Sequence, residues 1–317
     1  MHGGPGHRPP LPLSPGGRRA PRGIQAGLAA VAVVLLWPAE ARASHLAGAA
    51  VLRWSDWDWD PMILAGLGAT VLAWWWVSRR FRPRRWQPLF FWLGMLGLVV
   101  ALLSPIHTGS GYLFTIHMVQ HMLLTLVAPP LLALAVPPAF LGWLYRRPGP
   151  ARVLHAVWSP LPALVLFNGV LVFWHLPFAY DATLASGWVH AAEHLSFVAA
   201  GLVFWGVIAS PVPKLVRASF GLRLGLVVVA DLVNFLVGFA LAFAGRPFYR
   251  HYTEVPRLWG LNPLDDLRLG GAVMWVMGQM MYAIPVLVLL SVLLRREQGP
   301  GAFPGESPIR SIPSPHS

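Results

Sequence analysis

The sequence predicts an all-α polytopic membrane protein, a seven-transmembrane-helix bundle with its N-terminus outside and its C-terminus cytoplasmic. Three observations carry that expectation. Of 317 residues, 56% are hydrophobic and only 11% are charged, whereas a soluble domain carries roughly a quarter charged residues. So much apolar surface cannot be hidden in one core, and it needs lipid as its solvent. The apolar residues gather in seven runs long enough to cross a bilayer, near 61–78, 86–106, 112–136, 158–178, 188–210, 221–244 and 270–294. Between the runs, arginine and lysine concentrate in alternate connections, as topology signals do.

The first segment, 1–43, reads as a secretory signal peptide. Arg18, Arg19 and Arg22 precede an apolar stretch at 24–37, and Ala41-Arg42-Ala43 follows as an A-x-A cleavage site. The stretch is shorter than the about 20 residues a crossing needs, so cleavage after Ala43 is expected. Residues 44–294 then form the membrane domain, and helices are the only spanning form that satisfies backbone hydrogen bonds within each run. Pro129 and Pro130 in the third run and Pro285 in the seventh are expected to kink their helices.

Orientation follows from counting basic residues. One side holds Arg79, Arg80, Arg82, Arg84, Arg85, Arg146, Arg147, Arg152, Lys214, Arg217, Arg223, Arg295, Arg296 and Arg310, fourteen in all. The other holds Arg53, Arg246, Arg250, Arg257 and Arg268, diluted by seven acidic residues. The positive-inside rule puts the first set in the cytoplasm, and the signal peptide requires the same outside N-terminus. The tail 295–317, rich in Pro, Ser and Gly, is expected to be a disordered cytoplasmic segment.

Composition excludes several function classes. With no cysteine, there are no disulfides, cysteine–zinc sites, iron–sulfur clusters or thiolate chemistry. The net charge of +12 is spread over topology signals and forms no groove, so the bilayer and not nucleic acid is the expected partner. An intramembrane metalloprotease is poorly supported, because no HExxH motif occurs.

The histidines locate the chemistry. His107, His117, His121, His175, His190 and His194 all fall at or near the outer ends of their runs, and His251 lies in the outer loop before the last run. His117/His121 and His190/His194 are spaced i and i+4, which stacks the two imidazoles of each pair on one helical face. Both pairs reach roughly 5–10 Å below the outer surface. Neutral imidazole is the commonest transition-metal ligand, and two pairs offer four nitrogens. A metal-holding or proton-handling role is therefore expected for these pairs. Lone histidines at helix ends are more often wet interfacial residues, the reading for His107, His251 and His45. Glu193 serves as a ligand itself or as an acceptor orienting a ring, and Gln120 lies between the first pair.

Two polar features lie in other runs. Asp231 sits near the middle of the sixth, with Asn234 one turn away on the same face; a carboxyl there is functional or part of a helix–helix clamp. In the seventh, Met274, Met277 and Met281 form an i, i+3, i+7 stripe beside Gln279 and Met280. Thioether suits Cu(I), although such a stripe also serves as adaptable packing. Met277 and Met281 are the stripe's candidate ligands, Met277 lying near the depth of His121 and His194.

These residues carry a family resemblance. FTIHMVQHMLL at 114–124, APPLL at 128–132, FWHLP at 173–177, HAAEH at 190–194 and GQMM at 278–281 resemble the multi-spanning CtaG family of bacterial cytochrome c oxidase assembly factors, over roughly 60–300. The resemblance implies a non-enzymatic protein of the bacterial plasma membrane. It implies partners among haem–copper oxidase subunits, and copper held or delivered for the CuB centre. It also adds His175 to the candidate ligands. Two alternatives remain open at this level: a haem b electron-transfer protein using histidine axial ligands, and a proton or metal transporter working through Asp231 and the outer histidines.

Overall fold

The computed structural model describes residues 51–210, 216 and 218–297. The predicted signal peptide, Lys214, Arg217 and the tail from 298 onward lie outside the described residues. All regular structure among the described residues is helical: α1 Pro61–Phe81, α2 Gln87–Leu103, α3 Pro105–Ser110, α4 Phe114–Met122, a π-helical segment Leu123–Val127, α5 Ala128–Ala135, α6 Pro138–Tyr145, α7 Pro148–Val157, α8 Pro160–Trp174, α9 Pro177–Ala185, α10 Gly187–Ala209, α11 Phe220–Ala242, α12 His251–Glu254 and α13 Pro263–Glu297. Many of them begin at proline, whose missing N–H costs nothing in a first turn.

Five helices are long and apolar enough to cross a membrane: Pro61–Phe81, Phe114–Ala135, Gly187–Ala209, Phe220–Ala242 and Pro263–Arg295. The other two predicted spans fold as shorter helices. The second ends at Leu103 after 17 residues and restarts at Pro105 as α3. The fourth is the 15-residue α8, which meets α7 at a bend of 66°. Both fall short of the about 20 residues of a straight crossing. The last helix begins at Pro263, seven residues before the predicted start at 270, and runs on through Pro285.

The third span is the most buried and organises the bundle. Its expected kink is a π turn, in which the Ala128 amide reaches back to the Leu123 carbonyl. Pro129 has no N–H for the Thr125 carbonyl; the Trp205 indole of α10 donates to that oxygen instead, at 2.9 Å. Close helix contacts rest on small residues, as in other membrane bundles. A Cβ on Gly271 of α13 would come within 2.4–2.8 Å of the α11 backbone at Leu241, Ala242 and Gly238. A Cβ on Gly201 of α10 would meet the Pro129 ring at 2.8 Å.

Buried polar side chains fix the remaining helix ends. Asp266 of α13 is fully buried and accepts from the Phe114 amide at 2.8 Å, the Thr115 amide at 3.0 Å and the Thr115 hydroxyl at 2.8 Å. It thereby caps α4 from another helix. Arg223 donates to the carbonyls of Ile208 and Ser210, both at 3.1 Å, closing the end of α10. Large apolar side chains such as Leu72, Trp75, Trp92, Val165, Leu236 and Ile284 point outward, the arrangement lipid favours.

Candidate metal centre

The i, i+4 spacing on α4 turns His117 and His121 toward α10, where Glu193 and His194 face them. The Asp266 cap sets where α4 begins, and the Gly201–Pro129 contact lets α10 approach the kinked span. Ligand atoms of His117, His121, Glu193 and His194 all lie within 4.8 Å of one another, and all four residues are buried. The Glu193 carboxylate is the hub: its oxygens stand 3.3 Å from His121 Nε2, 3.7 Å from His117 Nε2 and 3.9 Å from His190 Nε2. The ring centres of His117 and His121 are 4.3 Å apart, and those of His190 and His194 are 4.2 Å apart. His190 is partly exposed, at 19% of its side chain, and forms the edge of the group.

Hydrogen accounting shows which nitrogens carry lone pairs. Tyr252 donates to the Ser110 carbonyl at 2.6 Å, and the Tyr180 and Tyr252 hydroxyls are 3.2 Å apart. His117 Nδ1 lies 2.7 Å from the Tyr180 hydroxyl and 3.0 Å from that of Tyr252. Burial holds the Tyr252 phenol protonated well above the usual phenol range. The arrangement that gives most of these contacts a hydrogen runs from His117 Nδ1–H to Tyr180, to Tyr252, to Ser110. It leaves the Nε2 lone pair of His117 aimed at Glu193.

His175 follows the same rule. Its Nδ1 is 2.7 Å from the Leu171 carbonyl, which can only accept, so its Nε2 carries the lone pair. His107 is the opposite tautomer. The Gln120 amide donates to the Ala101 carbonyl at 2.8 Å and to His107 Nδ1 at 2.9 Å, so the Nε2–H of His107 points to Asp58, 3.5 Å away.

Nε2 of His117, His121, His175, His190 and His194, Nδ1 of His121 and both Glu193 oxygens are buried with no hydrogen-bond partner among the described residues. Buried polar atoms are ordinarily satisfied, and an unpaired buried carboxylate is costly. A cation among these nitrogens and carboxylate oxygens would satisfy them together. Imidazole and carboxylate together suit zinc, copper, iron or manganese. His117, His121, Glu193 and His194 would hold such an ion, with His190 beside them.

Other residues singled out in the sequence lie elsewhere. Met277 is 45% exposed and faces away from the group, a correction to its candidacy. Met274 is buried and Met281 partly buried, whereas Met277 lies on the exposed side of the same stripe. Met281 packs against a buried cluster that includes Leu126 and Phe204 and does not join the group. Met274, the first member of the stripe, lines a cavity with His121 and His175. Asp231 accepts from the Gln279 amide at 2.7 Å, and Asn234 donates to the Met274 carbonyl at 3.1 Å. Both are α11–α13 ties, so the clamp reading of Asp231 is the one this geometry supports. Gln120 orients His107 and stays outside the group. Tyr180, Tyr252 and Asp266 were not found from sequence; the adjacent carboxylates at 265–266 at the start of a helix were the one local signal. His107 was read as interfacial, yet its ring stacks on His190 at 5.7 Å between centres.

Comparison with known proteins adds the family. Three curated relatives are each 25% identical to this chain over 76% of its length: the uncharacterized proteins ML1998 of Mycobacterium leprae, Mb0105 of Mycobacterium bovis and MT0111 of Mycobacterium tuberculosis. The chain spans about 40% of the length of those relatives. No solved structure matches. The family model described as cytochrome c oxidase caa3 assembly factor (Caa3_CtaG) matches residues 68–296, and a buried histidine–carboxylate group lies inside that match: the chain belongs to the cytochrome c oxidase caa3 assembly factor family.

Proposed function

We propose that this protein is a non-enzymatic copper-handling factor that holds copper for delivery to the CuB centre of a haem–copper oxidase. In this reading the ion is cargo, bound by His117, His121, Glu193 and His194 and exchanged at the His190 edge. The observation that carries the proposal is the set of buried imidazole nitrogens gathered around Glu193 in a member of an oxidase assembly family. A carrier for a centre reached from the outer face is expected to hold its ion near that face, and the position of this group on α4 and α10, two helices apolar enough to cross a membrane, supports the reading. The partners are oxidase subunits, and the setting is the bacterial plasma membrane. The bundle crosses it seven times, counting α2 and α8 as short crossings, with the histidine end outside and Arg295 inside.

The test is metal analysis of the purified protein. Copper retained by the wild type and lost in His117→Ala/His121→Ala, with CuB occupancy falling and haem content of the oxidase largely intact, is the expected result. A Soret band in the purified protein would move the assignment to haem. Reporter fusions in the loop 79–88 and at the C-terminus should read cytoplasmic and those within 245–262 external; an external C-terminus overturns the orientation.

A further inference from the structure

The cavity next to the histidine–carboxylate group has a chemistry of its own. Met118, Met122, Met274, His121, His175 and Asn234 line it, with Thr125, Leu171 and Phe197 completing the wall. Its ligating atoms are thioethers and imidazoles, and no carboxylate faces it. The space suffices for one small occupant, about that of a water molecule. His175 Nε2 is buried without a partner, and the Leu171 carbonyl fixes it as a lone pair. His121 is the one residue with both ring nitrogens buried and unpartnered among the described residues. Its Nε2 is taken up by the 3.3 Å approach to Glu193, which leaves Nδ1, on the opposite edge of the ring, for the cavity that His121 also lines. The His121 and His175 ring centres are 6.0 Å apart. Two imidazoles on one ion, each bonded at about 2.0 Å, have centres roughly 6 Å apart when nearly opposed.

The sequence repeats the logic. His117 and His121 form one column of α4, and Met118 and Met122 form the adjacent column, one residue or about 100° around the helix. The first column turns to Glu193 of α10. The second turns toward α13, where a Cβ on Gly270 would approach Met118 at 3.3 Å. Soft thioether with imidazole selects Cu(I) over the divalent ions that a histidine–carboxylate set accepts.

We infer that this cavity is a second metal subsite, a Cu(I) site built from His121, His175 and Met274, adjoining the histidine–carboxylate group through the shared His121 ring. Neutral His121 carries one proton and so binds at one nitrogen at a time. An ion therefore passes between the sites by exchanging ligands around one ring: as it moves from Nε2 to Nδ1 the Nδ1 proton is released and Nε2, facing Glu193, takes one up, with no change of oxidation state. The inference rests on the copper reading for the identity of the cargo, but its ligand set stands on the cavity.

The experiment uses full-length protein in detergent loaded with one equivalent of Cu(I), examined by X-ray absorption and by competition with a Cu(I) chelator. In a Glu193→Gln/His194→Ala background, where the neighbouring group is disabled, copper should show a sulfur shell beside nitrogen. Adding Met274→Leu, a volume-conserving swap that cores tolerate, should weaken or remove that shell and lower Cu(I) affinity at least tenfold; His175→Gln should lower affinity similarly. Met274→Leu alone should leave Co(II) binding at the histidine–carboxylate group within twofold. If the wild type and the disabled background hold copper through nitrogen and oxygen alone and Met274→Leu changes affinity less than twofold, the methionines are packing and the subsite is overturned, while the copper reading stands. If the wild type holds no copper, both fall.

Discussion

Replacing Glu193 by glutamine separates a ligand hub from a structural residue, because the two roles predict opposite effects on stability and binding. The carboxylate is fully buried, lies 3.3–3.9 Å from three imidazole nitrogens, and has no hydrogen bond among the described residues. An ion held by those nitrogens at about 2.0–2.1 Å lies within about 4 Å of the negative charge. At an effective dielectric of about 20, a unit charge at that distance contributes about 4 kcal/mol, about a thousandfold in affinity. Loss of a group that only orients a ligand costs about 10–100-fold. In a Met274→Leu/His175→Gln background, where the neighbouring cavity is disabled, Glu193→Gln should therefore weaken Cu(I) binding by about 10²–10³-fold in a chelator competition. It also removes an uncompensated buried charge, whose desolvation costs several kcal/mol, and the glutamine amide can donate to His121 Nε2. Thermal unfolding without added metal should accordingly stay level or move upward. A change in affinity below threefold, or a loss of binding matched by a fall in stability, would refute the reasoning.

Three further substitutions probe the surrounding architecture. Tyr252→Phe removes one end of the chain that fixes the His117 tautomer and should weaken metal binding about 10–100-fold with little loss of fold; an unchanged affinity would mean that Tyr180 alone sets the ring. Asp266→Ala deletes three hydrogen bonds to a buried carboxylate, each worth about 1.5–3 kcal/mol, and should lower denaturant stability by about 4.5–9 kcal/mol; a loss below about 1 kcal/mol would show that α4 is held by something else. Asp231→Asn keeps an acceptor for Gln279 and should leave abundance and copper retention near wild type, whereas oxidase maturation failing in a stable, copper-loaded protein would return Asp231 to the functional set.

The sequence alone was enough to read the solvent, the helical class, the helix ruptured by Pro129 and Pro130, and the two histidine pairs. All four are local or compositional. An apolar run reports its solvent, a missing N–H disturbs its own ladder, and a 3.6-residue period fixes the angle between residues four apart on one helix. That period does not say how far each helix is rotated against its neighbours. Close approaches between helices decide that, such as Gly271 against the α11 backbone and Gly201 against Pro129. Their rotation puts Glu193 between His117 and His121, turns Met274 inward and leaves Met277 outside. It brings Tyr180 and Tyr252 from separate short helices onto one imidazole nitrogen, and Asp266 onto a helix start 151 residues away. Sequence set the angular spacing of ligands within each helix; tertiary structure set which faces meet, because facing depends on contacts between residues far apart in the chain.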